Sequence, residues 1–88
     1  MKCVVFYETA ADGLPKAHTN FPAHKARIDQ FVQRGTLLMV GTWANPAEGA
    51  LAVFSSRDAA EEFVKDDPFV LNGVVSKVTL KDWNEILR

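Results

Sequence analysis

Eighty-eight residues, 48% of them hydrophobic and 24% charged, make one small domain, 1–88, too apolar to be disordered and too short for a second core. Ten Lys plus Arg against eleven Asp plus Glu give a net charge of −1. Nothing in that balance supplies the clustered positive charge of a nucleic-acid binder. One cysteine, Cys3, excludes an intrachain disulfide and a Cys-based zinc framework. Its apolar neighbours, Val4 to Tyr7, make it a small buried hydrophobe rather than a nucleophile. The apolar run before Glu8 is too short for a signal-peptide core, and no stretch approaches a membrane span. A cytoplasmic protein with no membrane partner is the expectation.

Taken in order, Lys2–Glu8 reads as a β-strand, and Ala10–Asn20, with Asp12-Gly13-Leu14-Pro15, as a long loop. Thr19 or Asn20 is placed to cap a first helix, with Pro22 in its opening turn. Phe21, His24, Ile28, Phe31 and Gly35 then recur at spacings of three and four, one helical face ending at a glycine stop. Thr36–Trp43 and Ala50–Ser55 read as a hairpin around a turn at Asn45–Gly49. Ser55, three residues before Asp58, offers a cap for a second helix carrying Ala59, Ala60, Phe63 and Val64. That helix must stop before Pro68. Asn72-Gly73 turns into a last strand, Val74–Lys81, followed by a short tail from Asp82. The order β-α-β-β-α-β is a ferredoxin-like α+β fold, a four-stranded antiparallel sheet with both helices on one face.

Such a sheet, if solitary, should be apolar on one side only. The first strand instead sets Cys3, Val5 and Tyr7 against Val4 and Phe6. The hairpin sets Leu37, Met39 and Trp43 against Leu38 and Val40, then Leu51 and Val53 against Ala50, Ala52 and Phe54. Only the last strand alternates, Val74, Val78 and Leu80 opposing Lys77, Thr79 and Lys81. Two helices cover one face, so the other calls for a second copy of the chain, a homodimer with sheets face to face.

His24 interrupts an apolar stripe and is the leading candidate for chemistry. A histidine there is either satisfied for packing reasons or carries out acid/base work with a carboxylate that fixes its tautomer. Asp67, four residues beyond Phe63, extends the apolar stripe of the second helix and points to the same sheet face, whereas Asp66 faces solvent. Its competing role is a turn residue bonding the backbone near Pro68. His18 in the long loop, Trp43 at a strand end and Phe69 beside Asp67 are candidate substrate-binding residues. His18 and His24 have no carboxylate at helical ligand spacing, and the glycines form no phosphate loop, so neither a metal nor another cofactor is expected.

The run Asp66-Asp67-Pro68-Phe69-Val70-Leu71-Asn72-Gly73-Val74-Val75, with Trp83 some way beyond, resembles the YciI-like (YCII-related) family. So do Phe21-Pro22-Ala23-His24, the Gly35 to Gly41 strand and the hairpin exit Ser-x-x-Asp-Ala-Ala-Glu-Glu-Phe. The resemblance spans nearly the whole chain. It implies a dimeric α/β barrel and a His–Asp pair in a cleft, carried here by His24 and Asp67. Gly41-Thr42 stands where many members have Gly-Pro, and Lys16 and His18 occupy a segment where many carry arginine. One branch of the family resembles a dehydrochlorinase of chlorinated hydroxyhydroquinones, and the wider fold hosts muconolactone isomerases and cofactor-free monooxygenases. Two functions are therefore weighed: a small cofactor-independent enzyme acting by proton abstraction with elimination or isomerisation on a small aromatic or enol-type substrate, and a non-catalytic dimeric ligand-binding or accessory protein.

Overall fold

The structure, a computed structural model, describes residues 1–87. Alternation in the first strand, β1 (Lys2–Thr9), decides the architecture: Cys3, Val5 and Tyr7 are buried, while Val4 and Phe6 between them are half-buried. After β1 come α1 (Gly13–Gln33), β2 (Leu37–Thr42), a 3-10 turn (Pro46–Glu48), β3 (Ala50–Phe54), α2 (Arg57–Lys65), α3 (Pro68–Leu71) and β4 (Val75–Trp83). The strands lie in the order β2-β3-β1-β4, every pair antiparallel. This is the expected ferredoxin-like α+β arrangement, with the short α3 added before the last strand. No helix among the described residues is long and apolar enough to cross a membrane.

The core lies where α1 and α2 meet the inner face of the sheet. Phe31 from α1, Phe54 from β3 and Phe63 from α2 form an aromatic triangle with ring centroids 5.1–6.3 Å apart, two of its three contacts edge-to-face. Arg27 fastens the two helices, donating from Nε to the Phe63 carbonyl at 3.0 Å and from Nη2 to the Glu62 carbonyl at 2.7 Å. Those are carbonyls of the last turns of α2, which a cation suits.

Several sequence expectations change. The segment Ala10–Asn20 is not a long loop: a tight turn leads into α1 at Gly13, and His18 lies on the helix. Gly13 permits this, because a Cβ there would meet the Val74 carbonyl oxygen at 2.4 Å. Pro15 falls in the first turn, where its missing N–H leaves no bond unmade. Neither Thr19 nor Asn20 is a cap, and Pro22 sits inside the helix. The cap of α2 is Ser56 rather than Ser55, its Oγ accepting from the Ala59 N–H at 3.2 Å. The last strand runs on through Trp83, which the sequence placed in a tail.

The hairpin also departs from simple alternation. A register shift between Leu37 and Met39 lets Leu37 pair with Phe54 and Met39 with Val53. Leu37 is consequently buried under the helices while Met39 is exposed on the opposite face. The outer face then collects Val4, Phe6, Leu51, Val53 and Met39, with Lys77, Thr79 and Lys81 of β4 at its edge.

Candidate active site

Asp67 is the centre of the site, and Pro68 puts it there. The residue before a proline is driven to extended backbone, and Asp67 has φ −69° and ψ 122°. It does not continue α2, as its spacing from Phe63 suggested, because α2 ends at Lys65. It is instead the N-cap of α3, fully buried, its Oδ1 accepting from the Phe69 N–H at 3.2 Å. The side chain reaches the inner face all the same, by a turn rather than by helical periodicity.

His24 meets it from α1, with Nδ1 2.7 Å from Asp67 Oδ1. The expected pair is therefore present and buried. A carboxylate can only accept, so the proton between them belongs on Nδ1, leaving the Nε2 lone pair free in the neutral ring. The imidazole lies flat on the Phe69 ring, centroids 3.7 Å apart and planes 4° from parallel, with the Phe63 edge against it at 6.3 Å. Stacking and hydrogen bond together leave the ring one orientation.

A third partner comes from β1. The Tyr7 hydroxyl donates to Asp67 Oδ2 at 2.6 Å. Burial first, and the Asp67 charge second, push the phenol far above its ordinary value, so Tyr7 remains a proton donor. The sequence reading placed Tyr7 on the same side of its strand as Cys3 and Val5 without giving it a role. Strand alternation was the available signal, since it aims a lone polar hydroxyl at the same buried layer as His24.

Beside the pair, between α1 and the sheet, lies a cavity of about 340 Å³. Ile28, Val40, Phe54 and other apolar groups make most of its wall, and Tyr7, His24, Lys25 and Thr42 are the polar side chains that reach it. Phe69 lines it as well. Nε2 of His24 bonds to no described residue, yet no buried side-chain nitrogen or oxygen among those residues lacks a partner. Nε2 is accordingly accessible, on a ring that forms part of the cavity wall. His18 is not part of that wall: continuation of α1 through it leaves the side chain in solvent. Trp43 also lies apart, just past β2, against a shallow depression shared with Phe6 and Lys81. Among the described residues, no three His, Cys, Asp or Glu side chains cluster as metal ligands do.

The fold and site together define a ferredoxin-like α+β domain with a buried His–Asp pair at an apolar cavity. The chain belongs to the YCII-related domain family, which it matches over residues 1–84. It is 30% identical to the protein YciI of Escherichia coli O6:H1 and to that of Shigella flexneri, each comparison covering 98% of this chain and 99% of the relative. Among solved structures it resembles the 5-chloro-2-hydroxyhydroquinone dehydrochlorinase of Burkholderia phenoliruptrix AC1100 in complex with 2,5-dihydroxybenzoquinone. That likeness has a TM-score of 0.75 at 19% identity and covers 96% of this chain and 94% of the other. A dimeric ferredoxin-like protein of unknown function from Bacteroides fragilis matches with a TM-score of 0.53 at 15% identity, over 96% and 94% of the two chains. At such identities these likenesses establish the fold.

Proposed function

We propose that the protein is a small cofactor-independent enzyme in which Nε2 of His24 takes a proton from a small, flat, largely apolar substrate, with elimination or isomerisation following. One observation carries the reading: a histidine on the wall of a mostly apolar cavity has one nitrogen bonded to a buried carboxylate and the other left free. Asp67 orients the ring and offsets the imidazolium charge formed when the proton moves. Phe69 stacks on the base and Lys25 and Thr42 stand where a polar edge of the substrate would lie. The dehydrochlorinase among the structural neighbours is an enzyme of this size and fold that acts on a small ring compound, and it supports the reading by analogy. We further propose that the outer sheet face is covered by a second copy of the chain, as a dimeric neighbour suggests. A reducing cytosol suits its one thiol, the buried Cys3.

The test requires a substrate that needs only a base, and 5-nitrobenzisoxazole is one. Nε2 removes the ring C–H proton, that bond's electron pair forms the nitrile, and the N–O bond breaks onto oxygen to give a coloured phenolate. Wild-type protein is expected to open the ring faster than buffer, and His24→Asn, which keeps a donor toward Asp67 without a base, to lose about 10²–10⁴-fold of that excess. Equal rates for folded wild type and His24→Asn would refute the assignment. The alternative, a ligand-binding module in which the pair only fastens α1 to α3, predicts lost stability with ligand binding intact.

A further inference from the structure

An ionised carboxylate out of water needs a donor for each oxygen, because an unmet one loses its hydration with nothing in return. Asp67 Oδ1 has two donors, His24 Nδ1 and the Phe69 N–H. Oδ2 has one among the described residues, the Tyr7 hydroxyl, in a bond whose 2.6 Å is typical of a hydroxyl on a carboxylate. The hydroxyl has little freedom to go elsewhere. Tyr7 is paired on both sides, with Ala50 of β3 and Val78 of β4. Gly49 lies so close that a Cβ on it would meet the Tyr7 carbonyl oxygen at 1.9 Å. Two strands and a glycine turn thus fix the backbone from which the hydroxyl is presented.

We propose that Tyr7 is a positioning residue: by satisfying Oδ2 it keeps Asp67 ionised, so that His24 carries its proton on Nδ1 and offers Nε2 to the cavity as an acceptor. The inference rests on the reading of His24 as the base and adds what holds that base in its working form. Without the hydroxyl, Oδ2 stands unpaired in a dry site. The pair then takes up one proton from water: Asp67 becomes a neutral acid donating to Nδ1, and the imidazole proton sits on Nε2. A nitrogen that already bears a hydrogen cannot abstract one. Arg27, which pulls the phenol's acidity in the opposite direction to Asp67, and Lys25 on the cavity wall are the cations acting nearby. Neither takes the place of a donor on Oδ2 in the hydrogen-bond network.

The experiment reads the His24 tautomer by ¹⁵N NMR at neutral pH in Tyr7→Phe, alongside 5-nitrobenzisoxazole turnover. The expected result is a move from the Nδ1–H toward the Nε2–H tautomer, with kcat lowered about 10–100-fold and KM unchanged. Because Tyr7 is the only tyrosine of the chain, biosynthetic 3-fluorotyrosine alters this site alone. It retains ring and hydroxyl but donates more strongly, and it is expected to preserve the tautomer and turnover while displacing the Nδ1 resonance. An unchanged tautomer and turnover in folded Tyr7→Phe, or an Nδ1 resonance indifferent to the fluorine, overturns the proposal. The tautomer signal needs no turnover. A protein inert toward the probe whose His24 still changes tautomer in Tyr7→Phe would therefore keep the role of Tyr7 and sink that of His24.

Discussion

The two faces of the sheet are made by the same strands and are covered to different degrees. On the inner face Cys3 and Phe54 are fully buried and Val5 nearly so, under α1 and α2. On the outer face Met39 is 64% and Trp83 44% exposed, though the side chains are as apolar as those within. Hydrophobicity by itself does not say where a side chain ends up, because burial needs a second surface. The inner face finds that surface within the chain. For the outer face we have proposed a second chain. The comparison also places the chemistry: His24, Asp67 and Tyr7 gather on the side where water is already excluded and a hydrogen bond between them is strong.

Substitutions that treat the faces alike should therefore give unlike results. The largest effect is expected from Phe54→Ala, which empties one corner of the aromatic triangle and should cost about 3–5 kcal/mol. Phe6→Ala on the outer face should change the stability of a dissociated chain far less, and chemical denaturation at low protein concentration measures both. Next in size is an effect on assembly. Phe6→Glu plants a charge in the outer patch and should turn a dimer into a folded monomer at micromolar concentration, read by sedimentation with circular dichroism as the control. A wild type that already sediments as a monomer would remove the second chain from the account.

The smallest effect concerns pH. The folded-state value of Tyr7 is raised above the unfolded one, so its contribution to stability is whole below about pH 10 and fades as the pH climbs further. Tyrosinate absorbance should thus be missing from the folded protein at a pH where a free tyrosine has titrated, and should appear together with alkaline unfolding. Tyr7→Phe should flatten the alkaline fall in stability. A phenol that ionises at the ordinary value within a still-folded protein would mean that Tyr7 is not buried against Asp67.

Much of this was legible in the residues. Spacings of three and four placed His24 on the inner side of its helix, and the turn at Asn72-Gly73 and the strand patterns ordered the elements correctly. What failed did so for local reasons. A glycine and a proline within Ala10–Asn20 read as loop, yet Gly13 was needed for a close approach to Val74, and Pro15 fell where a helix tolerates it. Leu37 and Met39, two apart, were expected on one face, and a register shift separated them. Asp67 was expected at the site because of its distance from Phe63, and arrived there because of Pro68.

The composition and periodicities of the sequence determined a single apolar domain, its βαββαβ order, and a histidine bound for the interior layer, since those follow from which faces must leave water. Only the tertiary structure decided that Oδ2 of Asp67 is met by Tyr7, 60 residues away, that Phe69 lies flat on the imidazole, and that His18 and Trp43 stand outside the cavity. These depend on how β1, α1 and α3 converge. Periodicity assigns each side chain to a face, but distances between elements are set by packing, and hydrogen bonds form or fail within a few tenths of an ångström.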